Sequence, residues 1–573
     1  MRKPLLQRVL ITCGLAVLLC AAAVGAHSRQ TAASSAQPQA LVVRVTTTGA
    51  AQLAALRSTI DVWAVYPNRR GAYVDALVQP AQYFALLAQG YRIEINPVRT
   101  AQLNRPAQPW PGQAGGIPGY SCYRTVEETY AAAKSIVSAH PDLAQWIDIG
   151  DSWEKKTWGG APGYDLMVLK LTNPVMTGPK PKLFVMSSMH AREYAPAELN
   201  LRYAEYLIDH YGVDPDVTWL LDYNEVHLLL QANPDGRKEA ESGLLWRKNT
   251  DNDYCANSDS RGADLNRNYP FYWNSCAPSD GCSSGNPCDL TYRGPGAVSE
   301  PETQAVVNYV RAQYPDLRAD DLSAAAPVTT SGIFLDLHSY GELVLWPWGF
   351  TASSAPNGTA LQTLGRKFAY FNTYTPVESI GLYPTDGATD DFAYGELGVP
   401  AFTFEIGTDF FQDCPTFENT IVPDNLQALL YGLRALRRPY QDPAGPDTLD
   451  VRIMPTLALT DTPAALTAVA NDTRYGASSG EPVQNIAAAR YSVDAPAWVT
   501  GTVTYPLRAA DGAFDHPIES LQAALDPSGL SAGRHSIFVE SQDADGNWGP
   551  PAAAFVWIDD ANTRIYLPMI ELR

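Results

Sequence analysis

Leu183-Phe184-Val185-Met186-Ser187-Ser188-Met189-His190-Ala191-Arg192-Glu193 is an apolar run that breaks into a helix-like stretch headed by a histidine and a glutamate three residues apart. A His and a carboxylate so placed, just past a strand, can both turn toward one ion. A catalytic zinc takes three protein ligands and keeps its fourth position for water, so the pair asks for a third donor from elsewhere. Alone it reads by default as a solvated ion pair with Arg192 at a helix start.

Two distant segments answer that demand. Ile333-Phe334-Leu335-Asp336-Leu337 reads as a strand that delivers His338, followed by Ser339-Tyr340. Ala401-Phe402-Thr403-Phe404 reads as another that delivers Glu405, and Val226 to Gln231 ends in the turn Asn233-Pro234-Asp235-Gly236. Open α/β sheets bind ligands beyond the carboxyl ends of their strands, so His190, His338 and Glu405 all fall where one crevice would be. Competing hydrolase patterns are weak. No His is followed by Glu, which excludes the H-E-x-x-H motif. Two G-x-S-x-G runs, 281–285 and 476–480, neither follow a strand nor open a helix, and read as loops.

The chain has 573 residues, enough for about three domains. Arg2, Lys3 and Arg8, the apolar run from Val9 to Gly25 and the small residues before Ala26 describe a secretory signal peptide at 1–26, with an uncleaved anchor as the alternative. Its removal takes three positive charges and moves the net charge from −20 to −23. Such acidity argues against nucleic acid as a partner. Six cysteines remain: Cys122, Cys255, Cys276, Cys282, Cys288 and Cys414. An even set in an exported chain implies disulfides, with a thiolate zinc knot at 255–288 as the alternative and connectivity open.

Residues 41–95 carry the order β-α-β-β-α-β of a ferredoxin-like unit, followed by a Pro-, Gly- and Gln-rich linker from Pro97 to Gly119 in which Arg99 and Arg105 are open to proteases. A small unit on a severable tether reads as a propeptide, or as a folding or adhesion module. Alternating helical and strand-like patterns from Tyr120 to Arg438 predict an α/β domain around a buried sheet. Beyond Pro443, short β-type runs such as Ala497 to Val503, His535 to Glu540 and Ala554 to Ile558 predict a β-sandwich. The expected layout is 1–26 signal, 27–118 propeptide-like unit and linker, 119–440 catalytic domain, and 441–573 β-sandwich. Asp543, Asp545 and Asn547 read as a turn, with calcium as the alternative.

The region from Tyr120 to Arg438 resembles the zinc carboxypeptidases of the A/B family, close to secreted bacterial carboxypeptidase T-like members. His190 and Glu193 match the family's H-x-x-E, His338 its H-S-Y run, and Glu405 its F-T-F-E run. The resemblance implies a mixed central sheet flanked by helices and one Zn2+ held by His190, Glu193 and His338. It implies Glu405 as general base and Arg247, in Trp246-Arg247-Lys248, as oxyanion stabiliser. Asn266 and Arg267 match the pair that holds the substrate's terminal carboxylate; the fixed fork of Arg267 suits that bidentate task. Arg192, Tyr340 and Tyr383 match further substrate-binding positions, and Asp390 matches the floor of the side-chain pocket, where an acid goes with Lys or Arg preference. The implied protein is a secreted proenzyme that acts on peptide and protein C-termini once an activating protease has cut it, with no stable membrane insertion after signal cleavage. A non-catalytic peptide- or surface-binding protein and a cell-wall peptide hydrolase are the alternatives.

Overall fold

The computed structural model describes residues 40–559 apart from 58, 69–70, 104–107, 110, 158, 256–259, 277–281, 461 and 477–479. The expected signal segment, Arg105 and parts of both G-x-S-x-G runs lie outside the described residues. Among the described residues no helix is long and apolar enough to cross a membrane.

Near the N-terminus, β1 (Leu41–Thr47), β2 (Asp61–Asn68), β3 (Gly71–Val78) and β4 (Arg92–Ile95) form one antiparallel sheet in the order β2-β3-β1-β4, with helices Ala50–Arg57 and Pro80–Ala88. Alternation along β1 turns Val43 and Val45 into a core with Leu56, Val74 and Leu86. Val42 faces the other way and joins Trp63, Tyr340 and Phe410 in a second cluster against the main body. The expected linker begins instead as a helix, Pro97–Leu103. Asn96 caps it, its Oδ1 accepting from the Arg99 amide at 3.0 Å, and Pro97 is pre-set for the first turn. Arg99 is therefore not an open protease site: its side chain is held by Tyr340, Thr408 and Asp409.

The central sheet contains β5 (Ala144–Asp151), β6 (Asp165–Leu171), β7 (Lys182–Ser187), β8 (Glu225–Leu229), β9 (Ile333–His338), β10 (Leu343–Trp346), β11 (Thr375–Glu378) and β12 (Ala401–Glu405), in the order β11-β10-β12-β9-β7-β8-β6-β5. It is mixed. β8, β7, β9 and β12 are mutually parallel, while β10 runs against β12 and β6 against both β5 and β8. Every residue of β9 is buried, as expected of a parallel strand covered on both faces. Helices Val126–Ala139, Tyr194–His210, Pro301–Gln313 and Val422–Ala435 complete the cover. The disulfides pair Cys122 with Cys414, Cys255 with Cys288 and Cys276 with Cys282, so the 255–288 cysteines form no thiolate knot.

The C-terminal strands are β13 (Asp447–Met454), β14 (Leu457–Leu459), β15 (Ala464–Asn471), β16 (Ile486–Val493), β17 (Thr504–Ala509), β18 (Ile518–Leu525), β19 (Gly533–Asp543) and β20 (Ala552–Asp559), in the order β13-β15-β18-β17-β16-β19-β20-β14. Ala497–Val503 is not a strand: the Pro496 and Val499 carbonyls accept from the Val499 and Thr502 amides, which closes successive turns. Trp498 turns inward against Trp219 and Tyr223 of the central body. Asn547 occupies both oxygens of Asp543 through its backbone and side-chain amides, so the 543–547 segment is a self-satisfied turn.

This last unit is bolted to the central body through a buried ion pair, Lys367 to Asp447 at 2.9 Å, with Lys367 also over Tyr475. Replacing Asp447 by Ala strands a fully buried ammonium. The expected loss is about 3 kcal/mol of unfolding free energy, read from chemical denaturation.

Candidate metal centre

β7, β9 and β12 end on one edge of the sheet. His190 follows β7 by three residues, His338 closes β9, and Glu405 closes β12 directly beside His338 in the register. The chain then turns at His190-Ala191-Arg192 to start the helix Tyr194–His210, for which Glu193 is the N-cap residue. Glu193 thus points back at the strand ends rather than along the helix.

The three side chains converge. His190 Nδ1 lies 2.8 Å from Glu193 Oε1, His338 Nδ1 lies 3.1 Å from Glu193 Oε2, and the two Nδ1 atoms are 3.0 Å apart. All three are buried, and among the described residues this is the one group of ligand side chains close enough to share an ion. The outer ring nitrogens are also engaged, His190 Nε2 with Asp264 at 3.1 Å and His338 Nε2 with Asp336 at 2.8 Å. Carboxylates on both Nε2–H groups leave the two Nδ1 lone pairs facing each other, an arrangement that needs a cation between them. The donor set of two imidazoles and one carboxylate fits zinc.

The electrostatics agree. Against the cost of burial, the His190 and His338 charges hold Glu193 well below the usual carboxylate range. Burial likewise opposes protonation of His338, yet Asp336 and then Glu193 push it well above its ordinary value. Positive charge is favoured at this point: a proton in the metal-free chain, a divalent ion in the loaded one. Burial pushes Glu405 up to about 8; His338 pulls against this, Glu193 adds to it and Arg247 opposes it.

Arg247 is fixed beside the ligands by Asp264, whose Oδ2 accepts from its Nε and Nη2 at 3.0 and 2.9 Å. Asp264 therefore serves a ligand and an arginine at once. Asn266 reaches within 3.4 Å of His338 Nε2, and its Oδ1 accepts from the Thr389 amide. Arg267 donates to the Cys282 and Asn266 carbonyls, with Tyr383 5.8 Å above its guanidinium. Asp390 is buried one residue beyond Thr389.

Arg192 and Tyr340 both pack on Phe410, the guanidinium 4.1 Å from its ring centroid and the Tyr340 ring 4.9 Å from it, edge-on. Arg192 is bonded to Asp61 at 2.7 Å and the Tyr340 hydroxyl accepts from Arg99 at 3.0 Å, so both are occupied by the N-terminal unit. Arg57 from the same unit donates to the Leu382 carbonyl and lies 5.1 Å over Tyr383. Sequence reasoning gave no role to Asp264 or Asp336. The available signals were an acid directly before Leu265-Asn266-Arg267, and an acid two residues before His338 inside an otherwise apolar strand.

Fold and centre together define a mixed α/β protein with a three-ligand metal site at its strand ends. A family model described as zinc carboxypeptidase matches residues 129–429, and the chain belongs to that family; it is a metallocarboxypeptidase, a zinc-dependent hydrolase. A zinc carboxypeptidase of Saccharothrix mutabilis subsp. capreolus is 29% identical over 413 residues, which are 68% of this chain and 88% of that protein. Carboxypeptidase A1 of Bos taurus is 29% identical over 369 residues, covering 61% and 79% respectively. The solved carboxypeptidase A of Helicoverpa armigera shares the fold at a TM-score of 0.57 and 20% identity, over 70% of this chain and 98% of its own.

A neutral Glu405 sets a pH signature in the metal-free protein. Its folded pKa stands above the ordinary 4.5, so its contribution to stability is largest at low pH and is lost as pH rises toward 8. Metal-free Glu405→Gln should melt above metal-free wild type at pH 9, and the gap should close by pH 4, as followed by calorimetry.

Proposed function

We propose that the chain is made as a secreted proenzyme and, once cut, removes residues one at a time from peptide and protein C-termini, with preference for Lys and Arg or for a mixture of basic and apolar ends. The observation that carries this is the pairing of the His190, Glu193 and His338 cluster with Glu405 on the adjacent strand end.

Zinc held by His190, Glu193 and His338 would polarise the scissile carbonyl and acidify water. Glu405 takes the proton from that water and later delivers it to the leaving amine; a carboxyl raised by burial suits both duties. Arg247, pinned by Asp264 and holding its charge despite burial, faces the developing oxyanion. Asn266 and Arg267 receive the free terminal carboxylate, which makes the activity an exopeptidase one. Tyr383 closes over the bound end, and Arg192 and Tyr340 hold residues further upstream. Asp390 at the pocket floor supports the basic preference.

The N-terminal unit supports the proenzyme reading because Asp61, Arg99 and Arg57 occupy Arg192, Tyr340 and Tyr383. Substrate and this unit compete for the same three side chains. The linker preceding Gly119 is the segment an activating protease would cut. Export is supported by the signal-like start and by three disulfides.

Protease-activated protein should release terminal residues from peptides with a free carboxylate, and a zinc chelator should stop this; full turnover under chelation, or equal cleavage of C-terminally amidated peptides, overturns the reading. Glu405→Gln should lower kcat by about 10²–10⁴-fold with modest change in KM. In the uncut chain, Asp61→Ala frees Arg192 and should raise residual peptidase activity several-fold over uncut wild type.

A further inference from the structure

Residues two apart on a strand share a face. Asp336 therefore faces the same way as His338, and Thr403 the same way as Glu405; the register sets Asp336 beside Thr403 and His338 beside Glu405. The four form a block on the site side of the sheet, with Asp336 and Thr403 one step deeper than the reacting pair. Asn266 Oδ1 accepts from the amide of Thr389 at the start of the helix Thr389–Leu397, and Thr389 Oγ1 donates to Asp336 Oδ2 at 2.7 Å, which ties that helix to the block. A terminal residue whose carboxylate lies on Asn266 and Arg267, and whose scissile carbonyl lies at His338 and Glu405, would direct its side chain toward this depth.

Asp336 and Asp390 are buried and close enough to influence each other, and their oxygens are not equally free. Asp390 Oδ2 accepts from Ser379 Oγ at 2.6 Å and its Oδ1 from the Asp391 amide at 3.0 Å, so each oxygen has a donor. Asp336 Oδ2 takes both His338 Nε2 and Thr389 Oγ1, while Asp336 Oδ1 is fully buried and has no donor. A buried carboxylate oxygen without a donor is expensive, and an entering ammonium or guanidinium is the group that would satisfy it. No lysine or arginine side chain bonds to Asp336 or Asp390 among the described residues.

We propose that Asp336, through its free Oδ1, is the residue that receives the cationic end of the departing Lys or Arg, with Asp390 as a flanking charge; this rests on the basic-residue reading above. The acid that reads the side chain is then also the acid behind a metal ligand. Specificity and the His338 position are coupled through one carboxylate.

The test is kcat/KM on peptides ending in Arg, Lys, Leu and Phe for activated wild type, Asp336→Asn and Asp390→Asn, with zinc content measured for each. Because Asp336 also holds His338, the informative quantity is the Arg-to-Leu ratio, in which a general loss of rate cancels. Asp336→Asn should lower that ratio by about 10–100-fold, the worth of a hydrogen bond to a charged group, and Asp390→Asn by less than tenfold. A ratio that collapses in Asp390→Asn and stays at the wild-type value in Asp336→Asn overturns the proposal. So does an equal loss on all four peptides with loss of zinc, which would leave Asp336 as a support for His338 only. Wild type that releases Leu and Phe but neither Arg nor Lys removes the basic-residue reading itself, a separate outcome from either.

Discussion

The parallel pairing of β9 with β12, which sets His338 beside Glu405, fixes the geometry on which the metal centre depends. A shift of one residue would turn one of the two to the opposite face of the sheet. The pairing is held by burial: both strands lie inside the sheet, flanked by β7 and β10, with helices covering them. What brings Glu405 and His338 together is thus the hydrophobic packing of Phe334, Leu335, Leu337, Phe402 and Phe404, and the polar residues ride on that frame.

Around the frame, polarity is organised in pairs that share one carboxylate. Asp264 serves His190 and Arg247; Asp336 serves His338 and Thr389; Glu193 faces both imidazoles. Each buried acid is therefore charged with positioning two partners whose own places come from different segments. Such sharing stiffens the site, because moving any one partner leaves a buried oxygen short of a donor.

The strands that lead to His190, His338 and Glu405 were legible because each is a mostly apolar run that gives way to polar residues at its carboxyl end, a pattern that marks both a buried parallel strand and the edge where a site can form. The N-terminal β-α-β-β-α-β order was legible for a similar reason, each element being bounded by turn residues. Other features were not. Asp61 meets Arg192 across 131 residues and Arg99 meets Tyr340 across 241, and no local pattern announces a contact of that span. The pairing of Cys122 with Cys414 is of the same kind. Ala497 to Val503 has strand-like composition, but Pro496 starts a turn, and the packing of a half-buried Trp498 against another unit overrode the local preference. Pro97 to Leu103 reads as linker by composition, whereas Asn96 and Pro97 together start a helix there.

Among the described residues, the contacts between the N-terminal unit and the rim are mostly polar: the ion pairs Arg192–Asp61 and Arg99–Asp409, hydrogen bonds from Arg99 and Arg57, the stack of Arg57 on Tyr383 and the small cluster around Trp63 and Phe410. While the chain is whole, the linker keeps that unit at a high effective concentration, so weak contacts suffice to keep it seated. Severing the linker changes no contact, yet makes retention depend on dilution. On the proenzyme reading proposed above, cutting and letting go are separate events, and the same cut molecule would be idle in a crowded compartment and active in a dilute one.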